Sequence, residues 1–349
     1  MNRVDNLINV TSAKANTPKV NAISNELLSY LVLINFWGPG QCIAIMGLIL
    51  NILNIVTFIK QGLRDSVNIS LLSLAVSDLG SLLFQFVLNL FWTPSFKLLD
   101  LPYSPQHLLY FMYWIHVLFT RVTTGTTAWV TFERCLCIVS PLKVKSIVTA
   151  KRTIFYIYTL YVIMAGSVAP IFYTTRLTMI FDRTKNKSVL GYVKIANRDI
   201  ESVTYALNNI LPSIFFVFIV VCTCILVRAL QKNARMRQRM TSNTATVVSS
   251  RDTKVAKLVT IISLIFIFCY APNTILGIMP LIDPEMKLDK SRGNVSIVIA
   301  SFMLLLESVN AGSNFFIYIS MSSRFKATFR QVFCMLAKNT ADKSDKEML

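Results

Sequence analysis

Apolar residues gather into seven long runs, near 38–59, 67–92, 106–139, 153–173, 203–227, 258–281 and 294–320, separated by short polar stretches. Crossing the ~30 Å hydrocarbon layer as an α-helix takes about 20 residues, and every run is that long. The pattern predicts an all-α membrane protein, a bundle of seven transmembrane helices. The third run is the longest and is not uniformly apolar. His116, Thr120, Thr123, Thr127 and Arg134 recur at spacings that put them on one helical face. His116 and Arg134 stand 18 residues apart, which is about five turns, or roughly 27 Å along the axis. Hydrocarbon cannot satisfy such a stripe, so it must look into the bundle.

Between the fourth and fifth spans, two β-prone runs, 176–181 and 189–195, flank a polar turn and predict a hairpin over the mouth of the bundle. After the seventh span, Phe325, Phe329 and Phe333 alternate with Arg324, Lys326 and Arg330. That spacing predicts a short amphipathic helix lying on the membrane. Cys334 beside it is a candidate for palmitoylation. The chain then divides into a polar tail (1–37), seven spans (38–320, opened by Trp37-Gly38-Pro39) and the amphipathic helix with its tail (321–349).

Charge decides the orientation. The chain has 35 Lys and Arg against 17 Asp and Glu. With the N-terminus outside, the inner segments carry 20 basic and five acidic residues, and the outer ones 13 and nine. This obeys the positive-inside rule, and the reverse orientation breaks it. The basic excess therefore reads as topology and contact with anionic lipid in the bilayer, not as nucleic-acid binding. The expected setting is the plasma membrane, with the C-terminus in the cytoplasm. The sequons at Asn9, Asn186 and Asn294 fall outside, where Asn9 and Asn186 are candidate glycosylation sites. None of the seven Cys falls in an outer loop, so no extracellular disulfide is expected.

Ionisable residues inside spans are costly and mark function or pairing. Asp78 stands in the second span. Arg121 in the third and Glu307 in the seventh stand in the outer halves of theirs. The latter two are expected to face one cavity, paired to each other or to a ligand, with Arg121 as receiver of a ligand carboxylate. Glu307, Asn310, Asn314 and Tyr318 share a face of the seventh span. Glu133 and Arg134 form an adjacent acid–base pair at the inner end of the third.

Several motifs occur in order: Asn51; Leu74-Ala75-x-x-Asp78; Glu133-Arg134-Cys135 with Pro141-Leu142; Pro170; Pro212; Phe266-x-x-Cys269-Tyr270-x-Pro272; Asn314-x-x-x-Tyr318; and Phe325. Together they resemble the rhodopsin-like (class A) G-protein-coupled receptors over about residues 38–336, and the local wording is similar to invertebrate chemosensory and FMRFamide-type peptide receptors. The resemblance implies an extracellular ligand near His116, Thr120, Arg121, Tyr270 and Glu307. His116 stands where amine receptors carry a carboxylate, so a cationic amine is disfavoured. It implies a sodium pocket of Asp78, Thr123, Asn310 and Asn314, with Na+ as an allosteric ion and no other cofactor. It implies a switch of Glu133, Arg134, Asp252 and Tyr318 that opens to a heterotrimeric G protein, with receptor kinase and arrestin as further partners. The sequence departs from the family in lacking the Cys pair that joins the third span to the hairpin, and in Tyr270, Val220 and Phe315.

Two rival classes fare worse. A membrane zinc enzyme wants several His, and the chain has His107 and His116, nine residues apart. An aspartyl protease wants two membrane Asp, and a retinal protein wants a Lys in 293–323, which has none. A transporter of a small anionic solute should show internal repeats; no repeat is visible and the span count is odd. The chain is not expected to be an enzyme.

Overall fold

The computed structural model describes residues 23–93, 96, 99–182, 186–194, 198–239, 250–282 and 292–333. The seven predicted spans are present, as Glu26–Gln61, Ser66–Trp92, Pro105–Val139, Ala150–Tyr173, Arg198–Arg239, Ser250–Ile282 and Gly293–Met321. Six are long and apolar enough to cross a membrane. The exception is the third, diluted by its threonines and charges. It is also the central post, packing against the second, fourth, fifth and sixth spans. A helix with a polar face finds its place where protein, not lipid, surrounds it.

The first span corrects the expected boundary at residue 37. The helix already begins at Asn25, where the Ser24 hydroxyl accepts from the Leu27 N–H. It then passes through a wide π-type turn, Phe36–Gly40, in which Gly38 leaves helical geometry, and continues as Gln41–Gln61. Pro39 therefore does not open the span. Proline cannot donate to the preceding turn, and the wide turn absorbs the missing bond. Asn35, just before the turn, donates to Ser301 of the seventh span at 2.9 Å. Gly62, at φ 88°, ends the span in a backbone conformation that glycine tolerates.

Paired polar side chains tie the spans together. Asn51 donates to the Ala311 carbonyl at 2.9 Å, Ser66 meets Thr153 at 2.7 Å, and Thr131 meets Ser263 at 2.7 Å. Beyond the seventh span, residues 323–333 form the expected amphipathic helix. Its Phe325 is buried between Phe58 and Tyr318, at ring distances of 5.3 and 5.5 Å. Phe315 reaches the same helix, 5.5 Å from Phe329. The seventh span runs as unbroken helix past this residue.

The hairpin is real: β1 (Thr175–Asp182) pairs antiparallel with β2 (Lys187–Lys194) in the register Thr175 to Lys194. Asn186, at φ 50°, closes the turn and is exposed. All six cysteines among the described residues are free thiols. The hairpin is instead held to the start of the third span without covalent bonds. Ser104 N–H donates to the Leu190 carbonyl, Leu190 N–H to the Pro102 carbonyl, and Tyr192 N–H to His107 Nδ1, all at 2.8–2.9 Å. The Tyr192 ring stacks on Tyr110 at 4.9 Å and meets Phe111 edge-on at 5.6 Å. Hydrogen bonds contribute about 1 kcal/mol each and aromatic pairs about 0.5–1.5. Their sum is of the same order as the ~2–4 kcal/mol of the absent disulfide.

Candidate functional site

Three polar centres lie along the third span. At the hairpin end, His116 and Glu307 form a buried pair, Nε2 to Oε2, at 3.1 Å. The other histidine nitrogen, Nδ1, lies 2.9 Å from the Ser81 carbonyl, and Asn273 donates to the second Glu307 oxygen at 2.7 Å. Second, third, sixth and seventh spans thus meet around one His116–Glu307 pair. Thr120, the next residue of the stripe, turns back to the Val117 carbonyl at 2.9 Å.

This overturns one of the two expectations for Glu307: Arg121 is not its partner. Arg121 is five residues beyond His116, which turns it about 140° around the helix. It faces the fifth and sixth spans and lines a separate cavity of about 460 Å³ with Asn208, Pro212, Phe266 and Tyr270. Tyr270 is buried there, stacked on Phe266 at 4.2 Å. The five expected ligand residues therefore divide between a satisfied polar cluster and a side cavity.

The middle centre is Asp78, fully buried. Thr123 hydroxyl reaches Oδ1 at 2.8 Å and the Asn314 amide donates to Oδ2 at 2.8 Å; the same threonine lies 2.8 Å from Ser77. Asn310 is buried and makes no hydrogen bond to Asp78 among those described. Two donors leave about half of a carboxylate's acceptor sites open. With hydroxyl and amide oxygens at hand, this donor set fits a hard monovalent cation.

At the far end, Arg134 donates to its neighbour Glu133 at 2.7 Å, both side chains being buried. They line a cavity of about 1120 Å³ together with Lys254, Leu258, Tyr318 and Arg324. The Tyr318 hydroxyl, Glu133 Oε2 and Arg134 Nε have no hydrogen-bond partner among the described residues. This end of the bundle is roomy and holds polar atoms without partners. Asp252 is in the sixth span, but its side chain lies outside the description. Asn9 and Cys334 also lie outside the described residues.

Sequence reasoning missed Asn273, the Ser81 carbonyl, the Thr131–Ser263 bridge and the role of His107. Asn273 follows Pro272 in mid-span, and a polar residue there is a usable signal. A backbone carbonyl gives none.

The seven spans and their motif residues match the sequence profile of the 7 transmembrane receptor (rhodopsin family) over residues 50–318. The chain belongs to that family of multi-pass membrane receptors. Over 326 residues it is 24% identical to an FMRFamide receptor of Drosophila melanogaster, covering 86% of this chain and 54% of the fly protein. The chain thus spans about half the length of that relative.

Proposed function

We propose that this receptor binds an extracellular peptide at its hairpin end and responds by activating a heterotrimeric G protein at its Arg134 end. The observation that carries the proposal is the cavity of about 1120 Å³ beside the buried Glu133–Arg134 pair. Such a cavity has room for a protein segment, and Arg134 is the group a partner would capture from Glu133. The likeness to a fly FMRFamide receptor supports a peptide as ligand class. The distribution of basic residues supports a cytoplasmic Arg134 end in the plasma membrane.

In this mechanism the ligand favours one packing of the fifth to seventh spans, and it shifts the balance only by its preference for that packing. Tyr270, Thr120 and the His116–Glu307 pair transmit its presence, while Arg121 receives an anionic group. Asp252 and Tyr318 take part in releasing Arg134. Asp78, Thr123, Asn310 and Asn314 hold a sodium ion that favours the resting form, and the ion supplies the counter-charge a buried carboxylate needs. Receptor kinase and arrestin act on the cytoplasmic side, Asn9 and Asn186 carry glycans, and Cys334 carries an acyl chain.

The test is nucleotide exchange on purified G proteins of each class, driven by the reconstituted receptor with a panel of amidated and free peptides. A peptide should speed exchange at least tenfold, and Arg134→Ala should abolish that response while peptide binding persists. Exchange that no peptide accelerates on any class, with the receptor folded, would sink the reading.

A further inference from the structure

Arg121 is a membrane cation without a counter-charge. It forms no ion pair within 4 Å and no hydrogen bond among the described residues, and its Nε is buried without a partner. Three carboxylates within the spans are engaged elsewhere: Glu307 with His116, Glu133 with Arg134, Asp78 with Thr123 and Asn314. Thr123 is two residues from Arg121, about 200° around the helix, so Asp78 lies behind it.

What Arg121 faces is the 460 Å³ cavity, and the polar side chains there do not serve it. Asn209 donates to the Tyr205 carbonyl, Ser213 to Asn209 and Thr274 to Tyr270, each within its own helix. The rim on the fifth span is Ile210, Ile214 and Val217, spaced i, i+4, i+7 and 58–59% exposed. Residues exposed on the flank of a membrane bundle meet acyl chains, so the cavity opens sideways between the fifth and sixth spans. It combines a guanidinium at the inner end, aromatic and aliphatic walls, and a mouth on lipid.

An unpaired intramembrane cation facing a cavity calls for an anion, and the lipid-side mouth selects how that anion arrives. We propose that the cavity takes a single-chain carboxylic acid from the bilayer, its carboxylate on Arg121 and its acyl chain leaving past Ile214 into the membrane. The volume lies toward the small end of ligand pockets, about 300–1,000 Å³, and suits one chain rather than a two-chain phospholipid. The occupant touches Phe266 and Tyr270, which pack the sixth span on the third, and so acts on the same helices as the peptide. This proposal rests on the reading of Arg121 as an anion receiver.

The probe is palmitic acid carrying a diazirine in its tail, photoactivated on the full receptor in phosphatidylcholine nanodiscs, with its methyl ester as the uncharged control. Labelled peptides are mapped by mass spectrometry. The acid should label the fifth and sixth spans at least tenfold more than the ester. Arg121→Gln should bring the acid down to the ester's level, Arg121→Lys should keep most of the labelling, and Ile214→Trp should block it. Equal labelling by acid and ester, read on the unaltered receptor and independent of any variant's folding, overturns both the lipid proposal and the anion role of Arg121. Labelling that needs Arg121 but ignores Ile214→Trp, or excess hexanoate competing as well as palmitate, overturns the lateral route and leaves the anion role standing.

Discussion

The imidazole of His116 stands 3.1 Å from the carboxylate of Glu307, 191 positions later in the chain. The contact fixes its own protonation. Histidine Nδ1 faces the Ser81 carbonyl, which only accepts, so Nδ1 carries a hydrogen. Nε2 and the carboxylate oxygen then need a second proton between them. Wherever that proton rests, the pair is neutral as a unit, which lets two ionisable groups sit together away from water.

Breaking a buried pair from one side strands the other group, at a cost of about 3–5 kcal/mol. His116→Gln and Glu307→Gln should each lower the Tm of the detergent-solubilised receptor by several degrees. The double variant should cost less than the sum of the two singles, with a coupling of about 1–3 kcal/mol. Arg121→Gln combined with Glu307→Gln should instead add to within about 0.5 kcal/mol. Coupling in the second cycle and none in the first would contradict the pairing.

Thr131 and Ser263 join the third and sixth spans one turn from Arg134, by a 2.7 Å hydroxyl contact in a buried setting. If the sixth span moves when the cavity opens to a G protein, this bond belongs to the closed form alone. A hydrogen bond contributes about 0.5–1.5 kcal/mol, so Thr131→Val should raise ligand-independent nucleotide exchange roughly 2- to 10-fold at equal surface expression. Basal exchange equal to that of the unaltered receptor would show the bond is present in both forms.

What could be read before the structure was what depends on local periodicity. Seven apolar runs, the hairpin's two β-prone runs about a polar turn and the stripe from His116 to Arg134 all survive, because residue preference, hydrophobic period and span length are properties of a segment. The partner of Glu307 was not legible, because it depends on how the seventh span is rotated against the third. The helical wheel did hold a warning, since His116 and Arg121 lie about 140° apart and cannot both face the same neighbour. The start of the first span was misplaced for a different reason. Pro39 suits a first helical turn, and it is tertiary contact, such as the bond from Asn35 to Ser301 and the ring contact of Phe36 with Trp92, that makes the earlier turns part of the bundle.

Gly47 and Gly312 let the first and seventh spans touch through their backbones. A Cβ built on Gly47 would stand 3.5 Å from the Gly312 Cα and 2.7 Å from a methyl of Leu82. Leu82 can yield by changing rotamer, whereas the backbone of the seventh span cannot. Gly47→Ala should therefore be nearly silent. Gly47→Val should cost about 1–3 kcal/mol of overpacking and weaken the neighbouring bond from Asn51 to the Ala311 carbonyl. Surface expression and Tm of the two variants test this, and equal behaviour would mean the spans separate without strain.

His107 fastens the hairpin to the third span by accepting a hydrogen bond. Its Nδ1 takes the Tyr192 N–H at 2.9 Å, which places the ring hydrogen on Nε2. His107→Phe keeps the ring contact with Tyr192, 4.8 Å in the unaltered chain, but has no acceptor. Hydrogen exchange of residues 188–194 should therefore speed up in this variant by about 5-fold, for a bond of ~1 kcal/mol. Exchange equal to that of the unaltered receptor would leave His107 as a packing residue.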